Sequence, residues 1–234
     1  MKTNRAGLLG IIWAALVTLL GFLIVIQVTV MDRGFYHDTQ AKYQIERYTN
    51  LRPENMDKAM AALLDYIEDK RADLKLQLEF NDRGMQEVFN EKSILHMQDV
   101  KQLYQLLLVV ILTLAVIVTL MLVVFFFLKW LNRYWLGTSL LKGLLITAAL
   151  IGLLALYIAV DFENFWTLFH KIAFSNDLWL LDMNTDVLLQ LVPLELFNDL
   201  VIKIVLRVFL FMSAQAAVGF GLVQWAKFAN LEKS

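Results

Sequence analysis

Four long apolar runs, separated by polar stretches of very unequal length, set the pattern of this chain. Ala6 to Val30 is about 25 residues of nearly unbroken apolar sequence, more than the roughly 20 that a spanning helix needs. Lys2 and Arg5 precede it. Gln27, Thr29 and Asp32 end it without the small-residue cleavage pattern of a secretory signal, so it reads as a retained signal anchor. By the same criterion the expected spans are 6–30, 104–128, 139–160 and 200–226, with a short loop at 129–138 and a tail at 227–234.

The polar stretches carry their own periodicities. Residues 31–103 hold too much charge to lie in a bilayer. From Leu51 to Leu78 the spacing is helical, with Pro53 suited to a first turn and Met56, Met60, Leu63, Leu64 and Ile67 recurring at three and four. Leu74 to Phe80 then alternates like one short strand, and Asn81-Asp82-Arg83-Gly84 is a turn. Asn90 is placed to cap a helix that starts near Glu91 and runs into the second span. Residues 161–199 mix ionisable groups with aromatic rings, Trp166 and Trp179 among them. That mixture reads as an amphipathic segment at a membrane boundary.

Charge orients the spans. Lys2, Arg5, Lys129, Arg133, Lys142, Lys227 and Lys233 flank one set of span ends, against the single acid Glu232. Basic residues collect on the cytoplasmic side. The expected fold is therefore an all-α, multi-pass protein of the cell membrane with four transmembrane helices and both termini cytoplasmic. A mostly helical extracytoplasmic cap occupies 31–103, and an interfacial or re-entrant segment occupies 161–199 on the same side. Composition agrees: 59% of residues are hydrophobic and 18% charged, with mean hydropathy +0.59, against roughly a quarter charged in a soluble domain. A net charge of −1 excludes a strongly basic nucleic-acid binder. The absence of cysteine excludes disulfides, thiolate metal sites and a thiol nucleophile.

All three histidines, His37, His96 and His170, fall in the outer segments. At about 1.5 Å per residue, His96 stands roughly 10 Å beyond the apolar run, at headgroup depth. Asp99 lies one turn on, where a carboxylate could orient an imidazole or simply face water. Ser93, His96 and Asp99 share a face and could make a nucleophilic triad, although side chains stacked along one helix rarely converge on a common point. His170 sits among Phe165, Trp166, Phe169 and Phe174, so its segment is an interfacial anchor or a site. Lys203 and Arg207, at i and i+4 near the outer end of the fourth span, are either intramembrane functional cations or a snorkelling pair.

Two stretches stand out together: HMQDVK at His96 to Lys101, and FHKIAFSNDLWLLD at Phe169 to Asp182, followed by TDVLLQLVPLELF. With the four-span layout, FYHDTQAKY after the first span and LLDYIEDK, the chain closely resembles the lipoprotein intramolecular transacylase (Lit) family of Gram-positive bacteria. Met183 stands where that family's second motif would have proline. The resemblance implies transfer of the sn-2 acyl chain of an S-diacylglyceryl cysteine to its own α-amino group, giving a lyso-form lipoprotein. The substrate would be the lipoprotein N-terminus within a phospholipid bilayer, handled by a monomer without cofactor or metal. On that reading His96 and His170 are the acid–base pair and Asp99 orients His96. Asn176 with Lys203 or Arg207 would stabilise the oxyanion. Trp179, Asp182 and Asp186 would shape the pocket, and Tyr36 would line it. The alternatives are a metal-dependent membrane hydrolase, for which no HExxH spacing exists, and a non-enzymatic signalling or assembly subunit.

Overall fold

The computed structural model describes residues 2–231. Glu232 and Lys233, counted in the charge pattern, lie outside them. The chain is mostly helical: α1 (Lys2–Val30), α2 (Arg33–Lys42), α3 (Glu46–Thr49), α4 (Pro53–Ile67), a hairpin of β1 (Gln77–Phe80) and β2 (Gly84–Glu87), α5 (Glu91–Phe127), α6 (Arg133–Val160), α7 (Phe162–Ala173), α8 (Val187–Leu191) and α9 (Leu194–Leu231). Four of these, α1, α5, α6 and α9, are long and apolar enough to cross a membrane. The chain divides into two compact units.

One unit holds residues 1–27, 109–160 and 204–234. Lipid offers no hydrophobic drive between helices, so close approach and hydrogen bonds hold them. Trp13 donates its indole N–H to the carbonyl of Val118 at 3.1 Å, and Trp135 donates to that of Ala6 at 3.1 Å. The Gln215 amide donates to the Thr18 hydroxyl at 2.8 Å. Trp13, Ala14, Phe125 and Leu140 make the buried core. Gly143 lets α1 and α6 touch: a Cβ there would lie 2.6 Å from both the Ala14 Cβ and the Ala15 nitrogen. Gly143→Leu should therefore destabilise the fold by about 1–3 kcal/mol, the usual cost of overpacking. A lowered thermal midpoint in detergent is the expected reading, and an unchanged midpoint would contradict the close crossing.

The other unit holds residues 28–108 and 161–203. Asp32 caps α2 by accepting from the Phe35 N–H at 3.2 Å. Pro53 stands in the first turn of α4, whose buried face carries Met56, Met60, Leu63, Leu64 and Ile67 as the periodicity requires. The helical spacing noted as far as Leu78 stops at Ile67, because Asp69 turns into the left-handed region at φ 62°. The expected single strand has an antiparallel partner, with Gln77 opposite Glu87 and Phe80 opposite Gly84. Gly84, at φ +70°, makes the turn. The fold is thus helical with one hairpin rather than purely α. Ile45, Leu51, Leu74, Leu191 and Leu196 are the largest fully buried side chains.

Candidate active site

The site is built by two stretches of the second unit that meet across the chain. The first is the polar start of α5. Its unbroken apolar run begins at Leu106, and its charged residues, Glu91, Lys92, Asp99 and Lys101, all come before the expected span at 104–128. Asn90 caps the helix by accepting from the Ser93 N–H at 2.8 Å. The second stretch is α7 with the loop that follows. Asp161 caps α7 by accepting from the Asn164 N–H at 3.0 Å. The helix is amphipathic: Leu168 and Ile172 are exposed, while His170 is only 6% exposed.

His96 and His170 face one another with ring centroids 6.1 Å apart. Aromatic rings close around them. Trp166 meets His170 edge-on at 4.7 Å, Trp179 lies against it at 4.9 Å, and Phe174 touches both imidazoles, at 5.2 Å from His96 and 5.6 Å from His170. Phe197 backs Trp166 at 4.3 Å. Imidazoles walled by rings lose the solvation that a charge needs. Burial and the neighbouring His170 accordingly hold His96 down to about 4, against the pull of Asp99. Burial also lowers His170, against the hydrogen bond to Trp166. Both are therefore neutral near pH 7.

The tautomer of His170 follows from its partner. Nδ1 lies 2.7 Å from the backbone carbonyl of Trp166. A carbonyl only accepts, so Nδ1 carries the hydrogen. The hydrogen bond leaves Nε2 as a bare lone pair. His170 is fixed as a proton acceptor before any substrate arrives.

Three polar ties fasten the loop to α5. The Asn90 amide donates to Asp186, Lys92 donates to the carbonyl of Leu180, and Asn176 donates to Asp99 at 2.9 Å. Asp186, 4% exposed, also accepts from the Asp182 N–H at 2.6 Å. Asp182 in turn accepts from Asn184 at 2.9 Å and so shapes the turn. These ties hold Trp179 against His170 and α5 against both.

Among the expected site residues, the structure brings His96, His170 and Trp179 together, with Asp182 and Asp186 as supports of the loop. It places the others differently. Asp99 does not orient His96: its carboxylate takes the Asn176 amide. An ionised group stays at the polar rim while the imidazole turns in among the rings. Asn176 is committed there as well, its own carbonyl oxygen accepting from the Leu178 N–H at 3.0 Å. Lys203 pairs with Asp32 at 2.9 Å and lies over the Phe35 ring. Arg207 belongs to the other unit. Tyr36 donates to the Val30 carbonyl at 2.9 Å and packs on Phe35. His37 pairs with Asp57 at the surface, 3.0 Å away. Among the described residues no group of three or more His, Cys, Asp and Glu side chains could hold a metal ion.

Trp166, Phe174 and Asn90 were not singled out as site residues. For Trp166 the signal is spacing, four residues before His170 on the same helix face, while Phe174 caps the end of α7 in extended backbone and reaches the imidazoles from there. Asn90 was legible as a cap but not as the partner of Asp186.

Four helices of spanning length and a buried pair of imidazoles describe a multi-pass membrane protein with a candidate catalytic centre. The family model of the lipoprotein intramolecular transacylase Lit matches residues 11–197. The chain belongs to that family, which makes it an acyltransferase of lipoprotein modification. Among solved structures it is similar to the membrane-integral lipoprotein intramolecular transacylase Lit from Bacillus cereus. Identity is 20%, over 96% of this chain and 97% of that one, with a TM-score of 0.75. Two further structures of that enzyme, with a histidine replaced by arginine or by alanine, match at 19% and 18% identity. The arginine form covers 97% of this chain and 96% of its own, with a TM-score of 0.75, and the alanine form covers 97% of both chains, at 0.72. At these identities the likeness shows the fold. No curated protein matches in sequence.

Proposed function

We propose that this enzyme moves the sn-2 acyl chain of an S-diacylglyceryl cysteine to that cysteine's own α-amino group, leaving an N-acyl, S-monoacylglyceryl lipoprotein. The observation that carries the reading is the buried imidazole pair with the bare Nε2 of His170. The reaction needs an amine to attack an ester. The α-amine has a free pKa of about 7.7–8.0, so a base working near neutrality suits it. His170 Nε2 takes the amine proton as the N–C bond forms. It returns that proton to the sn-2 oxygen as the C–O bond breaks. One proton moves, and no outside reagent is consumed.

His96 serves that same step as a neutral imidazole whose N–H is aimed at the developing oxyanion. Such a donor acts strongly where water is excluded, and Trp166, Phe174 and Trp179 provide that exclusion. Acceptor and donor are one molecule, so the protein has only to hold them in a near-attack geometry. A single copy of the chain is sufficient, and we take the enzyme to act as a monomer.

The charge pattern supports a site on the outer face. Both termini are then cytoplasmic, residues 6–30, 104–128, 139–160 and 200–226 cross the bilayer, and 31–103 and 161–199 lie outside. The ester of a membrane-anchored lipoprotein sits at glycerol depth, the depth reckoned for His96 from its distance to the apolar run. A metal-dependent hydrolysis finds no support, because among the described residues no third His, Cys, Asp or Glu ligand groups with the pair to hold an ion.

The test is direct. The enzyme is expressed in a host whose lipoproteins keep a free α-amine, and the N-terminal lipopeptide of a reporter lipoprotein is fragmented in a mass spectrometer. Total mass should stay the same while one acyl chain moves to nitrogen. A reporter whose amine stays free would refute the activity, and a lighter peptide that has lost an acyl chain would point to hydrolysis.

A further inference from the structure

A second concave site lies in the same unit as the imidazoles and is lined by none of the rings around them. The turn between α2 and α3 is fastened to the start of α9: the Lys42 ammonium and the Tyr43 hydroxyl both donate to Asp199, at 2.5 and 3.0 Å. The Gln40 amide donates to the carbonyl of Leu191 at 3.4 Å, and α3 packs on α8. Along this seam runs a cleft of about 250 Å³, lined by Tyr43, Ile45, Tyr48, Met183, Pro193 and Glu195. Pockets for whole small ligands measure about 300–1,000 Å³, so this one suits a single long side chain.

Its chemistry is one-sided. Ile45 and Pro193 are buried and make an apolar floor, and Met183 is exposed at the rim. Tyr43 is already committed, its hydroxyl to Asp199 and its ring face to Lys42 at 4.7 Å. Asp199 in turn offsets the charge of Lys42. Glu195 and Tyr48 are different. Both are exposed, and neither side chain has a hydrogen bond or ion pair among the described residues. The one charge among the lining residues is therefore a carboxylate, in the same cleft as an uncovered phenol ring. An ammonium or guanidinium on an apolar stem matches that set. The stem lies on Ile45, Met183 and Pro193, and the charge meets Glu195 and the ring of Tyr48.

The position of the cleft indicates whose side chain this is. Met183 follows Trp179 by four residues, which span at most about 14 Å of backbone. Trp179 lies 4.9 Å from His170. An extended peptide covers the same distance in about four residues. A substrate cysteine whose amine lies at His170 thus brings the side chains about three to five residues further on to the cleft.

We propose that this cleft is a specificity subsite for a lysine or arginine side chain in the peptide that follows the acylated cysteine. This rests on the transfer reading, which supplies the cysteine. No residue of the cleft touches a reacting atom. The cleft selects among lipoproteins by the charge close behind the lipid anchor.

The full-length enzyme is placed in phospholipid nanodiscs with synthetic S-diacylglyceryl-cysteine peptides. These are otherwise serine and carry lysine or glutamate at each of those positions in turn. Lysine at one of them should raise kcat/KM about three- to tenfold over glutamate, mostly through KM, the worth of one exposed ion pair with one cation–π contact. Glu195→Gln should level the two peptides, and Glu195→Lys should reverse their order. Equal values at every position in the unsubstituted enzyme would overturn the proposal, as would a lysine preference that survives Glu195→Lys. A diazirine-bearing lysine at the same positions should, on illumination, mark residues of the cleft, and marks confined to other parts of the protein would overturn the proposal as well. Cross-linking needs no turnover. If no peptide is acylated on nitrogen, the transfer reading fails and the diazirine marks alone decide the cleft.

Discussion

His170→Ala is expected to slow acyl transfer by about 10²–10⁴-fold, the range contributed by a positioned general base. The alanine removes the bare Nε2 that accepts the amine proton in the proposed mechanism, and no other described imidazole but His96 is beside it. Because His170 is packed among Trp166, Phe174 and Trp179, the alanine also opens a cavity. His170→Gln is therefore the companion variant: it refills the space and can still donate to the Trp166 carbonyl. Both should be slowed to that extent, and the glutamine form should melt near the unsubstituted enzyme. The measurement is the fraction of reporter lipopeptide acylated on nitrogen over time, beside thermal unfolding in detergent. A glutamine variant with the full rate would remove His170 from the chemistry.

The pH profile provides a second reading of the same residue. The competent form of His170 is neutral, and burial holds it below the usual histidine value of 6.5. Its acid limb therefore begins below pH 6.5 and not at it. The substrate amine titrates earlier, at about 7.7–8.0 when free. The logarithm of the rate should fall with unit slope below about pH 8 and steepen only below 6.5. A second break at or above 6.5 would contradict the burial argument.

Asp186→Ala should be the most damaging change away from the rings. Its carboxylate receives the Asn90 amide and the Asp182 N–H. Asn90 and Asp182 are themselves exposed, so water can take over their donors, and alanine costs the two net hydrogen bonds, about 1–3 kcal/mol in total. The same bond ties the loop of Trp179 to the first turn of the helix of His96, so transfer should fall with stability. Asp186→Asn keeps one acceptor oxygen and should lose about half as much. An Asp186→Ala enzyme with an unchanged melting midpoint would show that the loop is held by packing alone.

The four spans were legible because each is an apolar run of membrane length, and that signal needs no knowledge of neighbours. Their ends were not. Helix α6 starts at Arg133 and α9 at Leu194, because a helix continues through charged residues such as Arg133, Glu195 and Asp199 that interrupt the hydropathy signal. Strand β2, Gly-Met-Gln-Glu, is exposed throughout and has no alternation to read. Its pairing is imposed by the turn before it. In the site, the two histidines were marked by their motifs and by the apolar text around His170. The partners of the charged groups were hidden for a different reason. Asp99 finds Asn176, 77 residues away, and Lys203 finds Asp32. A local reading assigned Asp99 to the histidine one turn back and Lys203 to the substrate. Carboxylates and ammonium groups take whichever partner the tertiary fold delivers at the polar rim, and spacing along the chain does not reveal it.

The hydrogen bond from His170 to the carbonyl of Trp166 joins residues one helical turn apart. It exists only while that turn of α7 is wound. Uncoiling the turn frees Nδ1 and lets the proton move between the two nitrogens, so in the proposed mechanism the base is lost with that one turn. The share of molecules with α7 wound is then the share that can turn over. Catalytic rate becomes a gauge of local unfolding in a twelve-residue segment, and any lipid or temperature that loosens this helix will throttle the enzyme while the remainder of the protein stays intact.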